Sequence, residues 1–191
     1  FAMKLGTSKR ARLDVPNFYR EKELKTFCDS IFPILSQKQI KELEIDVCDN
    51  SGGSSSCVDL LLSYITHPRY QLYRKSVMRV SALSKEYMKQ YHPDIYANIA
   101  DLADGTLYEM TEKRIPNNHK DKSRFKGRIF VKVNEGTYSG ASTFAHAVAN
   151  YKIGKTEGQT GCPTVYSGNY LSFQLPESKL TYYIPFCLFY E

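Results

Sequence analysis

The 191-residue sequence contains no tryptophan, no Cys-x-x-Cys pair and no apolar run approaching the ~20 residues a membrane-spanning helix needs. Its first residues, FAMKLGTSKR, lack the apolar stretch of a secretory signal, so no targeting segment is read. A start at Phe1 rather than Met reads as a trimmed chain whose upstream part is absent. Five cysteines (Cys28, Cys48, Cys57, Cys162 and Cys187) are an odd number, which excludes a complete set of internal disulfides, and their spacing supports no zinc site. Cys48 and Cys57 bracket a loop and are expected as reduced thiols. A large excess of one charge is also missing. The 26 Lys and Arg against 20 Asp and Glu leave +6, with the basic residues dispersed, so nucleic acid is not expected as a partner. The densest basic stretch, His119 to Lys126, includes an acid and reads as a solvated loop.

What is present is an ordinary core-forming composition. At 42% apolar and 13% aromatic, the chain holds enough for a sizeable core, and its length fits a single domain over 1–191. Arg12 to Phe18 reads as a short strand stopped by Pro16. From Glu21 to Leu35 the apolar residues Leu24, Phe27, Cys28, Ile31 and Leu35 recur at the spacing of one helix face. Leu43 to Val47 is a short apolar strand, and Cys57 to Ile65 a helix ended near His67-Pro68. Leu72 to Val80 reads as extended, Ser84 to Leu102 as helical with a break near Pro93, and 104–126 as loop. Arg128 to Val133 is a strand and Ser142 to Asn150 a helix. Tyr170 to Leu175 and Thr181 to Phe189 are β-like, with Pro185 marking an edge. Strands separated by helices imply an α/β domain with substantially parallel pairing.

Two stretches share one grammar: an apolar strand, a Gly/Ser turn and an amphipathic helix. In Ile45-Asp46-Val47-Cys48-Asp49-Asn50-Ser51-Gly52-Gly53 the paired glycines let backbone N–H groups face a ligand that a Cβ would obstruct. The following helix N-terminus adds unpaired donors and suits an oxyanion. By itself this is also an ordinary turn. In Gly136-Thr137-Tyr138-Ser139-Gly140-Ala141-Ser142 a serine lies between small neighbours, the logic of a nucleophile elbow. The alternative makes Ser142 an N-cap and Ser139 a bystander.

Together the two stretches resemble the C-terminal processing, or tail-specific, serine peptidase family. The first is similar to that family's I-D-L-R-x-N-x-G-G loop and the second, Val133 to Ala145, to its V-N-E-G-T/S-x-S-A-x-E-x-F-A segment. The similarity continues through YKIGKTEGQTGCPT and LSFQLPESKL and covers most of the chain, although the family's peptide-docking PDZ module is not visible. The resemblance implies a crotonase/Clp-protease-like spiral of strand and helix units with a mixed, largely parallel sheet. It implies a serine-type peptidase with Ser139 as nucleophile, Gly140 and Gly52 or Gly53 as oxyanion donors, and a peptide or protein substrate. It implies neither metal nor organic cofactor, and a location outside the cytoplasm. A catalytically lapsed relative that binds peptides or other ligands is the alternative. A crotonase-type acyl-CoA enzyme shares the oxyanion logic, but the context of Ser139 argues against it.

The pattern departs from the family at the base. Where the family carries a lysine, about twenty-five residues after the serine, this chain has Gly161-Cys162-Pro163-Thr164. Ungapped alignment puts Thr164 at the lysine position, and matching Gly-Lys-Pro to Gly-Cys-Pro puts Cys162 there. The family's acid eleven residues past the serine is Asn150 here, and its glutamate soon after the serine is Ser142. A serine hydroxyl needs a base to take its proton. The substitutes on offer are Lys155 and the histidines His67, His92, His119 and His146, of which His146 lies on the order of 10 Å along the helix from Ser139.

Overall fold

A computed structural model describes residues 1–65, 69–111, 115–116 and 124–190. In chain order the strands are β1 Ala2–Leu5, β2 Arg10–Asp14, β3 Glu42–Asp46, β4 Arg69–Tyr70, β5 Lys75–Arg79, β6 Leu107–Met110, β7 Ile115–Pro116, β8 Arg128–Lys132, β9 Lys155–Glu157, β10 Val165–Gln174 and β11 Thr181–Tyr190. The helices are α1 Glu21–Gln37, α2 Ser55–Ser63, α3 Ala82–Tyr91, α4 Pro93–Ile99 and α5 Gly140–Asn150. They form two compact units, one of Phe1–Leu72 with Lys113–Pro163 and the other of Tyr73–Glu112 with Thr164–Glu191.

The first unit is built on a five-stranded sheet in the order β1-β2-β3-β8-β9. β2, β3, β8 and β9 run parallel, and β1 folds back antiparallel on β2. Period-2 alternation divides the two faces. Ala11, Leu13, Leu43, Ile45, Ile129 and Val131 are buried on one of them. The core they join includes Leu24, Phe32 and Leu35 of α1, Leu61 and Leu62 of α2, and Phe144 of α5. Phe18 packs on Phe144 with ring centroids 5.9 Å apart, and Phe32 stacks on Tyr64 at 4.7 Å. Phe27, expected on the buried face of α1, instead stacks on Phe1, and Phe32 takes the interior place. This is the expected mixed, largely parallel α/β arrangement.

The other face of that sheet is polar. Arg12 donates to Asp14 at 2.6 Å, pairs with Glu44 at 3.2 Å and also reaches Asp46. Glu42, almost wholly buried, is held between Arg10, at 2.5 Å, and Arg128. Each low-exposure carboxylate thus has a cationic partner, as its desolvation requires, with Arg12 shared by the facing pair Asp14 and Asp46.

The second unit has a four-stranded antiparallel sheet, β10-β11-β5-β6, and helices α3 and α4. Met78, Val80, Met88, Ile99 and Cys187 form its core. The helix expected over 84–102 is two helices. Ser81 and Ser84 form a capping box at the start of α3, and Pro93 opens α4, where a missing N–H costs nothing. Leu107–Met110, expected as loop, is strand β6, because it pairs with β5 through Ser76↔Met110 to Arg79↔Leu107. The pairing in this sheet is antiparallel throughout: β10 and β11 form a hairpin, and β5 returns to β6 through α3 and α4. His67, Pro68 and His119–Ser123 lie outside the described residues. Among those described, no helix is long and apolar enough to cross a membrane.

The ion-pair face has a pH signature. The Arg12 hydrogen bond holds the Asp14 carboxyl below its ordinary value against a partial burial penalty, with Lys4 adding to the effect. A depressed folded-state pKa stabilises above the unfolded value of about 4 and is lost as pH falls through the folded value. Asp14→Asn should therefore lower stability at neutral pH, by no more than about 1 kcal/mol given solvent screening. The difference from the native chain should close by about pH 2 in urea denaturation curves, and an undiminished difference there would contradict the ion-pair account.

Candidate active site

β3 and β8 are adjacent and in register, Ile45 with Val131 and Asp46 with Lys132, so the loops that follow them leave the sheet side by side. Four polar residues stitch these loops together. Thr137, fully buried, donates its hydroxyl to the Val47 carbonyl at 2.8 Å and accepts the Asn134 N–H at 3.0 Å. Asn134 donates its amide to Asp49 Oδ1 at 2.9 Å, and its own Oδ1 accepts the Asp49 N–H at 2.9 Å. Asn50, also fully buried, donates to the Val15 carbonyl at 2.9 Å, while its own carbonyl accepts the Tyr138 N–H at 2.9 Å.

The stitching brings Gly52, Gly53, Ser139 and Gly140 together. A Cβ on Gly52 would stand 2.7 Å from both the Gly140 nitrogen and Ser139 Cβ. One on Gly53 would stand 2.2 Å from the Phe18 carbonyl oxygen. Both glycines have positive φ, +100° and +141°. The pair is therefore required on two counts, conformation and close approach. Gly52 is not an available donor, because its N–H is engaged by Asn50 Oδ1 at 2.9 Å. This corrects the sequence reading that offered either glycine to an oxyanion. Among the described residues, the Gly53 and Gly140 N–H groups have no acceptor.

Ser139 occupies a strained turn. Its φ of 49° and ψ of −126° lie in a region that non-glycine residues rarely enter, and α5 begins at the next residue. Ser139 is half-buried. The alternative in which Ser142 caps the helix is set aside, because α5 starts at Gly140 and Ser142 is buried inside its first turn.

The segment after β9 runs tightly under this turn. A Cβ on Gly158 would lie 2.1 Å from the Val133 carbonyl oxygen, and one on Gly161 would lie 2.0 Å from that of Glu135. The approach seats Cys162, 4% exposed, against Ser139 and Ser142. Burial pushes its thiol pKa up, while the Ser139 backbone N–H and the Ser142 hydroxyl pull it partly back. The Ser142 hydroxyl is near enough for this but makes no hydrogen bond of good geometry. Cys162 is thus the group at the elbow, and Thr164 belongs to the second unit.

Three other candidates of the same unit, Asn150, Lys155 and His146, are not brought to Ser139 by their elements. Asn150 is exposed at the far end of α5, about 16 Å along the axis. Lys155 is exposed and opens β9 opposite Phe130, the middle residue of β8, whereas the elbow follows the far ends of both strands. The support expected from these two is therefore corrected: both lie at the wrong end of their elements. His146 is half-buried in mid-helix, with burial lowering its pKa. His92 joins α3 to α4 in the second unit, and His67 and His119 lie outside the described residues. All five cysteines are free thiols. A cavity of about 400 Å³ lined by Arg12, Glu44 and Glu157 and another of about 310 Å³ beside Phe32 and Lys41 do not include Ser139. Sequence reasoning missed the roles of Asn50, Asn134 and Thr137. Their signal was polar residues at the mouths of two apolar strands, where each side chain can stand in for a backbone partner.

The family model of peptidase family S41 matches residues 9–180. The chain belongs to peptidase family S41. No curated protein matches it. Among solved structures, a mutant of CPAF is similar at 16% identity and a TM-score of 0.72, over 94% of this chain and 42% of that one. The photosystem II D1 C-terminal processing protease is similar at 14% and 0.55, over 93% and 37%. A lipoprotein from Streptococcus agalactiae is similar at 15% and 0.56, over 100% and 61%. At these identities the likeness is one of fold, and the chain spans about two-fifths of the length of the first two.

The close approach has a direct test. Gly52→Ala combines a forbidden φ with a backbone overlap, whereas Gly105→Ala has a φ of +91° and nothing within 4 Å. The first should cost about 2 kcal/mol or more and the second about 1 kcal/mol. Equal losses in thermal denaturation would mean that the two loops do not meet as described.

Proposed function

We propose that this S41 chain is a serine-type peptidase acting through an acyl-enzyme on Ser139. The observation that carries the proposal is the positive φ of Ser139 at a strand–helix junction flanked by the unengaged N–H groups of Gly53 and Gly140. Ser139 Oγ would attack a peptide carbonyl, passing its proton to water as the C–O bond forms, and water would return a proton to the leaving nitrogen. The two N–H groups and the N-terminus of α5 would stabilise the oxyanion, each donor being worth about 10²–10³ in rate. The intermediate would collapse by releasing the protonated amine, and water would then free the acid and regenerate the serine. The route needs no metal or organic cofactor. C-terminal processing of protein substrates and a location outside the cytoplasm are the finer readings we favour. They rest on family resemblance and on fold likeness to a processing protease and a lipoprotein.

One observation favours a second reading, a peptide-binding relative with weak or lapsed chemistry. Where the family places its lysine, this chain puts a buried thiol kept neutral by that burial. A neutral thiol takes no proton from serine, and a missing base lowers the rate about 10²–10⁴-fold.

Labelling with a fluorophosphonate at neutral pH separates the readings. The native chain should label slowly, and Ser139→Ala should abolish labelling. Cys162→Lys, with Ser142→Glu to balance the buried charge, should accelerate labelling about 10²-fold. Fast labelling of the native chain would show that a base acts from elsewhere. No labelling of either form, with peptide binding intact, would establish the lapsed reading.

A further inference from the structure

Two cavities of the first unit differ in how their charges are met. In the larger, on the polar face of the sheet, Arg10 and Arg12 meet Glu42 and Glu44, so the site neutralises itself. The smaller, about 310 Å³, lies where β3 and β8 begin, at the opposite end of these strands from the elbow. Its floor is apolar, with Phe32 and Leu35 of α1 buried and Ile40 beside them. Phe125 adds a wall. Its N–H is held by the Tyr64 carbonyl at 2.8 Å, and its ring lies so close to Gly127 that a Cβ there would stand 2.5 Å from Phe125 Cζ. Among the described residues, every charged one lining this cavity is a cation: Lys41, Arg124 and Lys126. Lys41 and Lys126 are exposed, and neither has an ion-pair partner among the described residues. The sheet brings their backbones together, since Glu42 faces Arg128 and the Arg128 N–H reaches the Lys41 carbonyl at 2.8 Å. Like charges gathered at one cavity repel, and an anion there relieves the repulsion.

We propose that this cavity binds an aliphatic monocarboxylate of about ten heavy atoms, its tail on Phe32, Leu35 and Phe125 and its head at Lys41 and Lys126. Volume sets the size: at the roughly 30 Å³ that a water-sized group occupies, the space holds about ten such groups. The lysines set the sign of the head, because a cationic one would add to their repulsion. Its single charge follows from α1, which ends at Gln37 and turns the partial negative charge of a helix C-terminus towards the cavity, against a doubly charged phosphate. The tail carries no amides, because the nearby backbone is already engaged. The Lys38, Gln39 and Ile40 N–H groups close α1 on the carbonyls of Ile34, Ser36 and Leu35, and the Phe125 N–H is taken by Tyr64. A peptide placed there would bury amides without partners.

The probe is decanoate, titrated into the whole chain near neutral pH by calorimetry, with amide exchange locating the site. One saturable site with a Kd below about 1 mM is expected, with exchange slowed over 35–41 and 124–127. Decylamine, with a similar tail and the opposite charge, should bind about tenfold more weakly or worse. Lys41→Gln with Lys126→Gln should weaken decanoate by about tenfold or more and leave Tm unchanged, since both side chains are exposed. Should that variant fail to fold, the comparison of decanoate with decylamine on the native chain and the exchange map still decide. Weaker binding than this, equal affinity for decylamine, or protection elsewhere in the chain would each overturn the proposal. So would undiminished decanoate binding by the folded variant, or tighter binding of decyl phosphate than of decanoate.

Discussion

Everything at the candidate site depends on two pieces of backbone being closer than side chains permit. Gly52 faces Ser139 and Gly140 at a distance that leaves no room for a Cβ. The approach begins in the sheet, where β3 and β8 run parallel and in register, and it is closed by Asn50, Asn134 and Thr137. Asn50 and Thr137 are fully buried, and each would be costly without its partner. They therefore specify one geometry rather than a range. The engagement of Gly52 N–H by Asn50 follows from the same logic: one amide is used to hold the loop, which leaves the next one unengaged.

The elbow is asymmetric in its chemistry. Around Ser139 the donors are backbone N–H groups at a helix start, suited to an anion. Beneath it lie a thiol and a hydroxyl, both neutral, in a site whose burial opposes charge. The donors suited to a developing negative charge are built from backbone and follow from the fold. A group suited to accept a proton depends on individual side chains. Backbone functions persist as long as the fold does, whereas a side-chain function can change at a single position.

What the sequence made legible follows from which signals are local. The alternation in β3 and β8 and the 3–4 spacing in α1 and α5 each need only a dozen residues of context, and those elements were located within a few residues. The glycine loop and Ser139 were legible because their residue types are restricted by backbone conformation. β9, with the sequence Lys-Thr-Glu, has no strand signal of its own and exists because β8 offers it an edge. β6 likewise depends on β5. The choice between Cys162 and Thr164 depended on Gly158 and Gly161 pressing against residues 133–135, a contact between segments more than twenty residues apart. The antiparallel second sheet was missed because its strands come from two distant stretches of chain.

That interleaving of stretches bears on how the molecule is made. The chain passes between its two units three times, after Leu72, after Glu112 and after Pro163. β3 cannot meet β8 until more than eighty further residues have been synthesised, and closing a loop of that length carries an entropic toll that early contacts do not repay. On the ribosome, the first seventy residues emerge with β3 lacking its β8 neighbour and with the apolar face of α2 uncovered, a state open to misassociation. The glycine turn is translated long before the serine it touches. The elbow is therefore among the last features to assemble, and it comes into being together with the sheet beneath it.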